Sequence, residues 1–348
     1  MDKKLSKEIE DLINSGLVMR AGDVPAPEKI KTGSLMFDYI LGGGIDTRRI
    51  THFFAKEGTG KSVMAYSIAN NALKQYPDSV VVLVDTEHRA DMDWISHFIE
   101  DTDRLLVMQP EYIEYVGNDL RSILTKTKVS CVIVDSIGAA NTTRAKDKDL
   151  SVQQVGGNAM GVGVFVRSIV PIANKNNIAI ILINQLRDDI GGYGPSIGHF
   201  PGGKALAHAI NTNVYLRKTS NKVLSTDEFG EKIPVGNEIA FKIVKGKNLG
   251  KVAKTYFYKE NSEFGNLGFD RYDEVIRLAM ALGIIQKNAS SYTYEDFPGG
   301  KLVGAQKVID FLKDEKNKEV LQKLENELYS KLSEDNGKIT TEEVEEDV

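Results

Sequence analysis

The stretch Phe53–Ser62, FFAKEGTGKS, decides the fold. An apolar pair, Phe53-Phe54, runs into a glycine-bearing loop, Ala55-Lys56-Glu57-Gly58-Thr59-Gly60, that ends in Lys61-Ser62. A helix-compatible run, VMAYSIANNAL, follows at once. Strand, loop and helix in that order are what a phosphate-binding loop requires. Its backbone N–H groups converge on an anion, and the positive end of the following helix faces the same point. Lys61 then reaches the β- and γ-phosphates of a nucleoside triphosphate, and the Ser62 hydroxyl ligates Mg²⁺. The first position is Ala55 where the pattern has Gly; a methyl group is tolerated there if the backbone stays at negative φ.

Working outward, apolar strand-like runs recur at 50–54, 80–85, 105–108, 131–135 and 178–184, separated by helical patterns at 62–75, 91–100, 113–126 and 160–174. Apolar strands alternating with helices imply an α/β fold with a largely parallel sheet covered on both faces. Ligands of such sheets bind at the carboxyl ends of the strands, and three polar residues stand at those ends. VVLVDTEH places Glu87 just past one strand, where a carboxylate can polarise a water that attacks a γ-phosphate; a helix-capping glutamate is the plainer alternative. CVIVDS places Asp135 at the end of another, suited to hold Mg²⁺ through a coordinated water, with Ser136 beside it. INQLR places Gln185 after a third, where an amide can contact the γ-phosphate or serve a structural hydrogen bond. Trp94 follows Asp91 at a helix start; the ring can stack on adenine and Asp91 accept from its amino group, or Trp94 can belong to a core or interface.

The 348 residues carry 27% charged and 41% hydrophobic side chains and one cysteine. This is an ordinary globular composition with no run long enough for a transmembrane helix. A single Cys131 excludes disulfides and cysteine-based zinc ribbons. The first residues, MDKKLSKEIEDL, lack an apolar signal core, so a cytoplasmic protein is expected. Net charge is −5, but residues 334–348 carry seven acids and one lysine, leaving about +1 on residues 1–333. That acidic end reads as a disordered tail.

Residues 2–15 read as a short amphipathic helix on Leu5, Ile9, Leu12 and Ile13, which must dock on its own core or on a neighbouring subunit. Residues 188–203, DDIGGYGPSIGHFPGG, form a long glycine-rich loop of the kind that carries function. Strands follow at 213–217, 238–244 and 254–258, extending one sheet edge. From about Phe269 the character shifts to helices at 272–282, 303–313 and 317–332 with a short strand at 291–294, a small α/β domain. The expected organisation is residues 1–30 as helix and linker, 31–268 as core, 269–333 as the C-terminal domain and 334–348 as the tail.

The ordered set TGS, Asp38, LGGG, the phosphate loop, VDTEH, VIVDS, INQLR and PGGKAL resembles the RecA family of recombinases, in its bacterial and phage branch, over nearly the whole chain. The resemblance implies a RecA-type P-loop ATPase core and an ATP-dependent, Mg²⁺-dependent filament on single-stranded DNA that pairs it with homologous double-stranded DNA. Single-strand-binding and loader proteins join the expected partners. Glu87 then matches the catalytic glutamate, Gln185 the γ-phosphate sensor, and Asp91 and Trp94 the adenine-contacting positions. Lys245 and Lys247 match lysines that reach a neighbour's ATP in trans. Two loops are implied to hold DNA: one at about 141–157 with Arg144, followed by Met160 and Gly161, and the glycine-rich one with Arg187, Ile190, Gly202 and Gly203. Lys301 and Lys307 of the C-terminal domain are implied duplex contacts. A hexameric helicase of the same core fold, or an ATP-binding regulator without strand exchange, are the competing classes.

Overall fold

The computed structural model describes residues 3–143, 157–187, 199–226, 230–259 and 267–334. The chain begins with helix α1 (Lys3–Asn14), then strand β1 (Lys29–Ile30), helix α2 (Leu35–Leu41) and strand β2 (Ile45–Asp46). The core follows as β3 (Ile50–Ala55), α3 (Lys61–Gln75), β4 (Ser79–Asp85), a single-turn α4 (Met92–Ile95), β5 (Leu105–Met108), α5 (Val116–Leu124) and β6 (Lys128–Asp135). It continues through α6 (Gly157–Asn176), β7 (Ala179–Gln185), α7 (Gly203–Ala209), β8 (Thr212–Thr226), β9 (Lys232–Lys245), β10 (Val252–Tyr258) and β11 (Gly268–Phe269). Helix α8 (Arg271–Ala281), strands β12 (Gln286–Asn288), β13 (Ser291–Thr293) and β14 (Lys301–Val303), and helices α9 (Ala305–Lys313) and α10 (Lys318–Glu334) close the described chain.

Among the described residues, nine strands make one sheet in the order β11-β10-β9-β8-β3-β7-β6-β4-β5. From β8 to β5 every pair is parallel, and β9, β10 and β11 add an antiparallel edge. The expected α/β architecture is therefore present. The parallel strands are β-branched runs such as VVVLV and VIV, buried on both faces, so they read as continuous apolar blocks rather than as alternation. One face packs on α3 through Phe53, Met64, Ile68 and Leu83. The other packs on α5 and α6 through Val82, Val132, Val134, Leu120, Phe165 and Ile169.

Two expectations shift. The helix expected over 91–100 is one turn, Met92–Ile95, after which the chain continues in turns that seat Ile99 in the core and give the Glu100 N–H to Asn70 Oδ1 at 3.2 Å. The strands expected at 213–217 and 238–244 belong to a much longer hairpin, β8–β9. Its register shifts between Lys218 and Lys222, which breaks the alternation a sequence reading depends on.

A third hydrophobic cluster joins α8, α9 and α10 with Tyr292, Tyr294 and Phe297, and it takes in Leu35 of α2. Two buried carboxylates bind the same junction. Glu274 of α8 accepts from Ser34 Oγ at 2.6 Å, from the Leu35 N–H at 2.7 Å, and from Thr255 Oγ1. Asp38 of α2 accepts from the Thr32 N–H at 2.8 Å and from the Tyr329 hydroxyl of α10 at 3.0 Å. Ser34 also caps α2, accepting from the Phe37 N–H. Among the described residues, no helix is long and apolar enough to cross a membrane.

Candidate functional site

Parallel register assembles the site. Ala55 stands opposite Gln185, and Asp85 opposite Asp135, so the ends of four strands lie side by side. The loop 55–60 bridges from β3 to α3 with Gly58 at φ 68° and Gly60 at φ 94°, left-handed conformations that favour glycine. Ala55 is fully buried and does not have a positive φ, so its methyl group fits where a glycine was expected. The Ala55 carbonyl accepts from Lys61 Nζ at 3.2 Å and from the Leu186 N–H at 2.9 Å, and the Lys56 carbonyl accepts from Lys61 Nζ at 3.0 Å. One backbone oxygen thus joins the loop lysine to the residue after Gln185.

A cleft of about 530 Å³ opens over these strand ends. Glu57, Gly58, Thr59, Gly60, Lys61 and Ser62 line it, with Glu87, Trp94, Asp135, Ser136 and Gln185. These expected positions are brought together. Ser62 Oγ donates to Asp135 Oδ2 at 2.6 Å. Burial pushes the Asp135 carboxyl up, against the hydrogen bond from Ser62 and the charge of Lys61. Burial likewise lowers Lys61, opposed by Asp135, Glu57 and Glu87. A half-buried carboxylate paired with a hydroxyl is a hard-oxygen donor set that suits Mg²⁺, which keeps water and phosphate oxygens as its other ligands. Bound there, the cation would neutralise phosphate charge.

Glu87 is placed by its neighbours. Asp85 Oδ1 accepts from the Arg89 N–H at 3.2 Å, and Asp85 Oδ2 from the Ala90 N–H and Gln109 Nε2, both at 3.0 Å. Burial acts upward on the Asp85 carboxyl, but these hydrogen bonds leave it below its ordinary value. The braced turn, with His88 at φ 55°, sends both Glu87 and Arg89 into the cleft, where Arg89 Nη1 lies 3.1 Å from Glu87 Oε2.

Asp91 does not line the cleft in this chain. Its Oδ1 caps α4, accepting from the N–H groups of Asp93 at 3.0 Å and Trp94 at 3.2 Å. The cap aims Trp94, whose ring packs edge-on against Phe98 with centroids 5.1 Å apart. Lys245 and Lys247 also stand away from the cleft. Lys245 Nζ donates to the Ala207 and His208 carbonyls at the end of α7, at 2.7 and 3.3 Å. Lys247 lines a separate cavity of about 550 Å³ with Lys29, Arg49 and Lys251.

Of the expected DNA positions, Arg144 and Ile190 lie outside the described residues. Arg187 closes the base of the 188–198 segment by exchanging backbone hydrogen bonds with His199 at 2.8 and 3.1 Å. Gly202 (φ 121°) and Gly203 (φ 73°) turn the chain into α7, and a Cβ on Gly203 would stand 2.7 Å from Ala159 Cβ. Met160 is half exposed on α6, and a Cβ on Gly161 would meet Thr142 Cγ2 at 2.4 Å. Lys301 and Lys307 are exposed on β14 and α9, remote in sequence from the cleft.

Sequence reasoning missed one wall of the cleft. Lys218, Asn237, Ile239, Phe257 and Lys259, from β8, β9 and the end of β10, line it opposite the loop. They lie more than 150 residues from the phosphate loop and carry no motif. The pairing of the long hairpin, and of β10 along β9, brings them there.

The RecA N-terminal domain family matches residues 2–259. Proteins similar along most of the chain include Protein RecA of Thermus aquaticus, 30% identical over 312 residues, spanning 88% of this chain and 88% of that protein. Protein RecA of Wolinella succinogenes is 30% identical over 331 residues, spanning 94% and 89%. Protein RecA of Mycoplasma mycoides is 29% identical over 334 residues, spanning 94% and 93%. These relatives are bacterial and do not single out a phage branch. With the ordered motifs and the strand-end cleft, the match over most of its length means that this chain belongs to the RecA family of DNA recombinases.

Proposed function

We propose that the chain is an ATP-dependent recombinase that forms a helical filament on single-stranded DNA and catalyses homologous pairing and strand exchange. One observation carries the coupling of nucleotide to DNA. The strand of the phosphate loop pairs in register with β7, whose last residue, Gln185, faces the cleft and leads through Arg187 into the glycine-rich segment. In this reading Lys61 and Ser62 bind phosphate and Mg²⁺, Asp135 supports the cation, and Glu87 activates water for hydrolysis to ADP and phosphate. Gln185 contacts the γ-phosphate and orders the second DNA loop, so ATP favours the DNA-bound state and hydrolysis removes that preference.

Lys245 and Lys247 act on the neighbouring subunit's nucleotide, a charge supplied in trans. Their separation from the cleft of their own chain supports that role. The segments around Arg144, Met160 and Gly161 and around Arg187, Ile190, Gly202 and Gly203 hold single-stranded DNA without reading its sequence. Residues 269–333, with Lys301 and Lys307, form a unit that meets duplex DNA, and residues 1–30 pack on an adjacent subunit. The setting is the cytoplasm of a bacterial or phage-infected cell, with single-strand-binding and loader proteins at hand.

Electron microscopy with single-stranded DNA and a non-hydrolysable ATP analogue tests the reading. Helical filaments, together with pairing of homologous strands, support it. Closed rings with directional unwinding of a fork would establish a helicase instead.

A further inference from the structure

We propose that Lys218 and Lys259 form a second cationic arm of the nucleotide cleft, supplied by the same subunit as the phosphate loop, which grips the phosphate charge of a nucleoside di- or triphosphate. The proposal rests on the nucleotide reading of the cleft and extends it to a wall that no motif marks.

The placement follows from strand pairing. Lys218 lies on β8 opposite Ile239 of β9, in the part of β8 that runs beyond the end of β3. Ile239 reaches the loop, its Cδ1 3.3 Å from where a Cβ on Gly60 would stand. Lys218 Nζ lies 3.7 Å from where a Cβ on Gly58 would stand, so its ammonium hangs over the middle of the phosphate loop. Lys259 follows β10 directly and is anchored by its N–H, which donates to the Val235 carbonyl at 2.9 Å. Both side chains line the cleft.

The wall has unspent recognition capacity. Among the described residues neither lysine has a carboxylate partner, whereas the other cations of the cleft are engaged: Lys61 with two carbonyls, and Arg89 with Glu87. Burial lowers the proton affinity of Lys218, and the charges of Lys259 and Lys222 lower it further. Like charges held near each other without a counter-ion favour entry of an anion. Asn237, on β9 opposite Phe257, is 7% exposed and lines the same cleft. Two ammonium groups without a carboxylate partner, with the Asn237 side chain lining the same cleft, suit a polar anionic ligand. Phosphates bound to the loop lie within their reach, because the Lys218 ammonium already stands over Gly58.

Titration of the full-length protein with Mg·ADP at low and high salt tests the arm. The comparison is between wild type, Lys218→Ala/Lys259→Ala and Lys218→Arg/Lys259→Arg, with ligand-free melting followed in parallel. The alanine pair is expected to weaken ADP binding by roughly ten- to a hundredfold at low salt. It should also flatten the salt dependence and leave ligand-free melting unchanged, and the arginine pair should retain most of the affinity. Unchanged ADP affinity in the alanine pair overturns the proposal. So does a loss that persists equally at all salt concentrations or comes with lowered melting, because either marks a packing role. Failure of the wild type to bind Mg·ADP overturns the nucleotide reading itself, and the arm with it.

Discussion

Ser62 donates its hydroxyl hydrogen to Asp135 Oδ2 at 2.6 Å, so the start of α3 and the end of β6 present two oxygens at one point. Magnesium prefers few protein ligands and completes its shell with water and phosphate. Ser62→Ala should therefore raise the Mg²⁺ concentration needed for half-maximal ADP binding by roughly tenfold, a loss of about 1.4 kcal/mol. Asp135→Asn should raise it further. ADP titrations across Mg²⁺ concentrations check this. A variant that weakens ADP binding equally with and without Mg²⁺ would place the defect in the loop rather than in the cation site.

Glu87 stands past the end of β4 on a turn held by the Asp85 carboxylate, with Arg89 against it at 3.1 Å. Glu87→Gln keeps the shape and removes the base that the proposed hydrolysis uses. DNA-stimulated ATP hydrolysis should fall by about 10²–10⁴-fold, while ATP-dependent DNA binding persists. Arg89 is 72% exposed in this pair. An ion pair this open to solvent contributes about 1 kcal/mol or less, so Arg89→Ala should leave urea-unfolding stability nearly unchanged. Steady-state kinetics and denaturant titrations measure the two effects separately.

What could be read from the sequence follows a physical division. Phe53–Ser62, Asp135 and Gln185 were legible because a parallel strand buried on both faces is a continuous apolar run, and a polar residue ending that run stands out. The partner wall was not. Lys218 and Asn237 lie in a hairpin whose register shifts at Lys218/Lys222, and Lys259 follows β10, so chain order says nothing of their meeting in the cleft over the loop. Asp91 shows a different limit. An acid before a short helix serves equally as a cap or as a ligand contact, and here its Oδ1 makes the cap. The clasp of Glu274 and Asp38 at α2 was also hidden, because its partners are as many as 291 residues apart.

That clasp predicts a pH dependence. Burial pushes the Asp38 carboxyl up to about 6 and the Glu274 carboxyl up to about 7, against the hydrogen bonds each receives. An acid with a raised native pKa binds more protons folded than unfolded, so its contribution is present below the unfolded pKa and is lost as pH rises through the native one. For Asp38 the window runs from about pH 4 to 6, and for Glu274 from about 4.5 to 7. His52 acts in the opposite sense. Burial lowers it to about 4, despite a 2.7 Å contact with Asn213 Oδ1, so stability is lost as pH falls from about 6.5 to 4. Asp38→Asn should flatten the decline of stability between about pH 4 and 6, measured by urea unfolding. Glu274→Gln should instead destabilise throughout, by about 1–3 kcal/mol, because an amide either turns its NH₂ toward the Leu35 N–H or gives up the oxygen that serves Ser34 and Thr255.

The sharpest test of coupling lies in Asn184, one residue before Gln185. Its Oδ1 accepts from the Gln185 N–H at 3.0 Å, and its Nδ2 donates to the Pro201 carbonyl at 2.8 Å. One fully buried amide therefore holds the chain on both sides of the 188–198 segment. Gly138, just past β6, leaves room for it: a Cβ there would stand 2.4 Å from Asn184 Oδ1 and 2.5 Å from Pro201 Cγ. If the position of Gln185 is transmitted to the DNA loop through this amide, Asn184→Ala should reduce the stimulation of ATP hydrolysis by single-stranded DNA by about tenfold or more, the scale of a buried hydrogen-bond loss of about 1–3 kcal/mol. ADP affinity should stay within about threefold, because no phosphate contact is touched. Gly138→Ala should reproduce the phenotype by pushing the amide aside. A variant that loses basal hydrolysis and ADP binding together would show that Asn184 supports the cleft as a whole, and that coupling runs elsewhere.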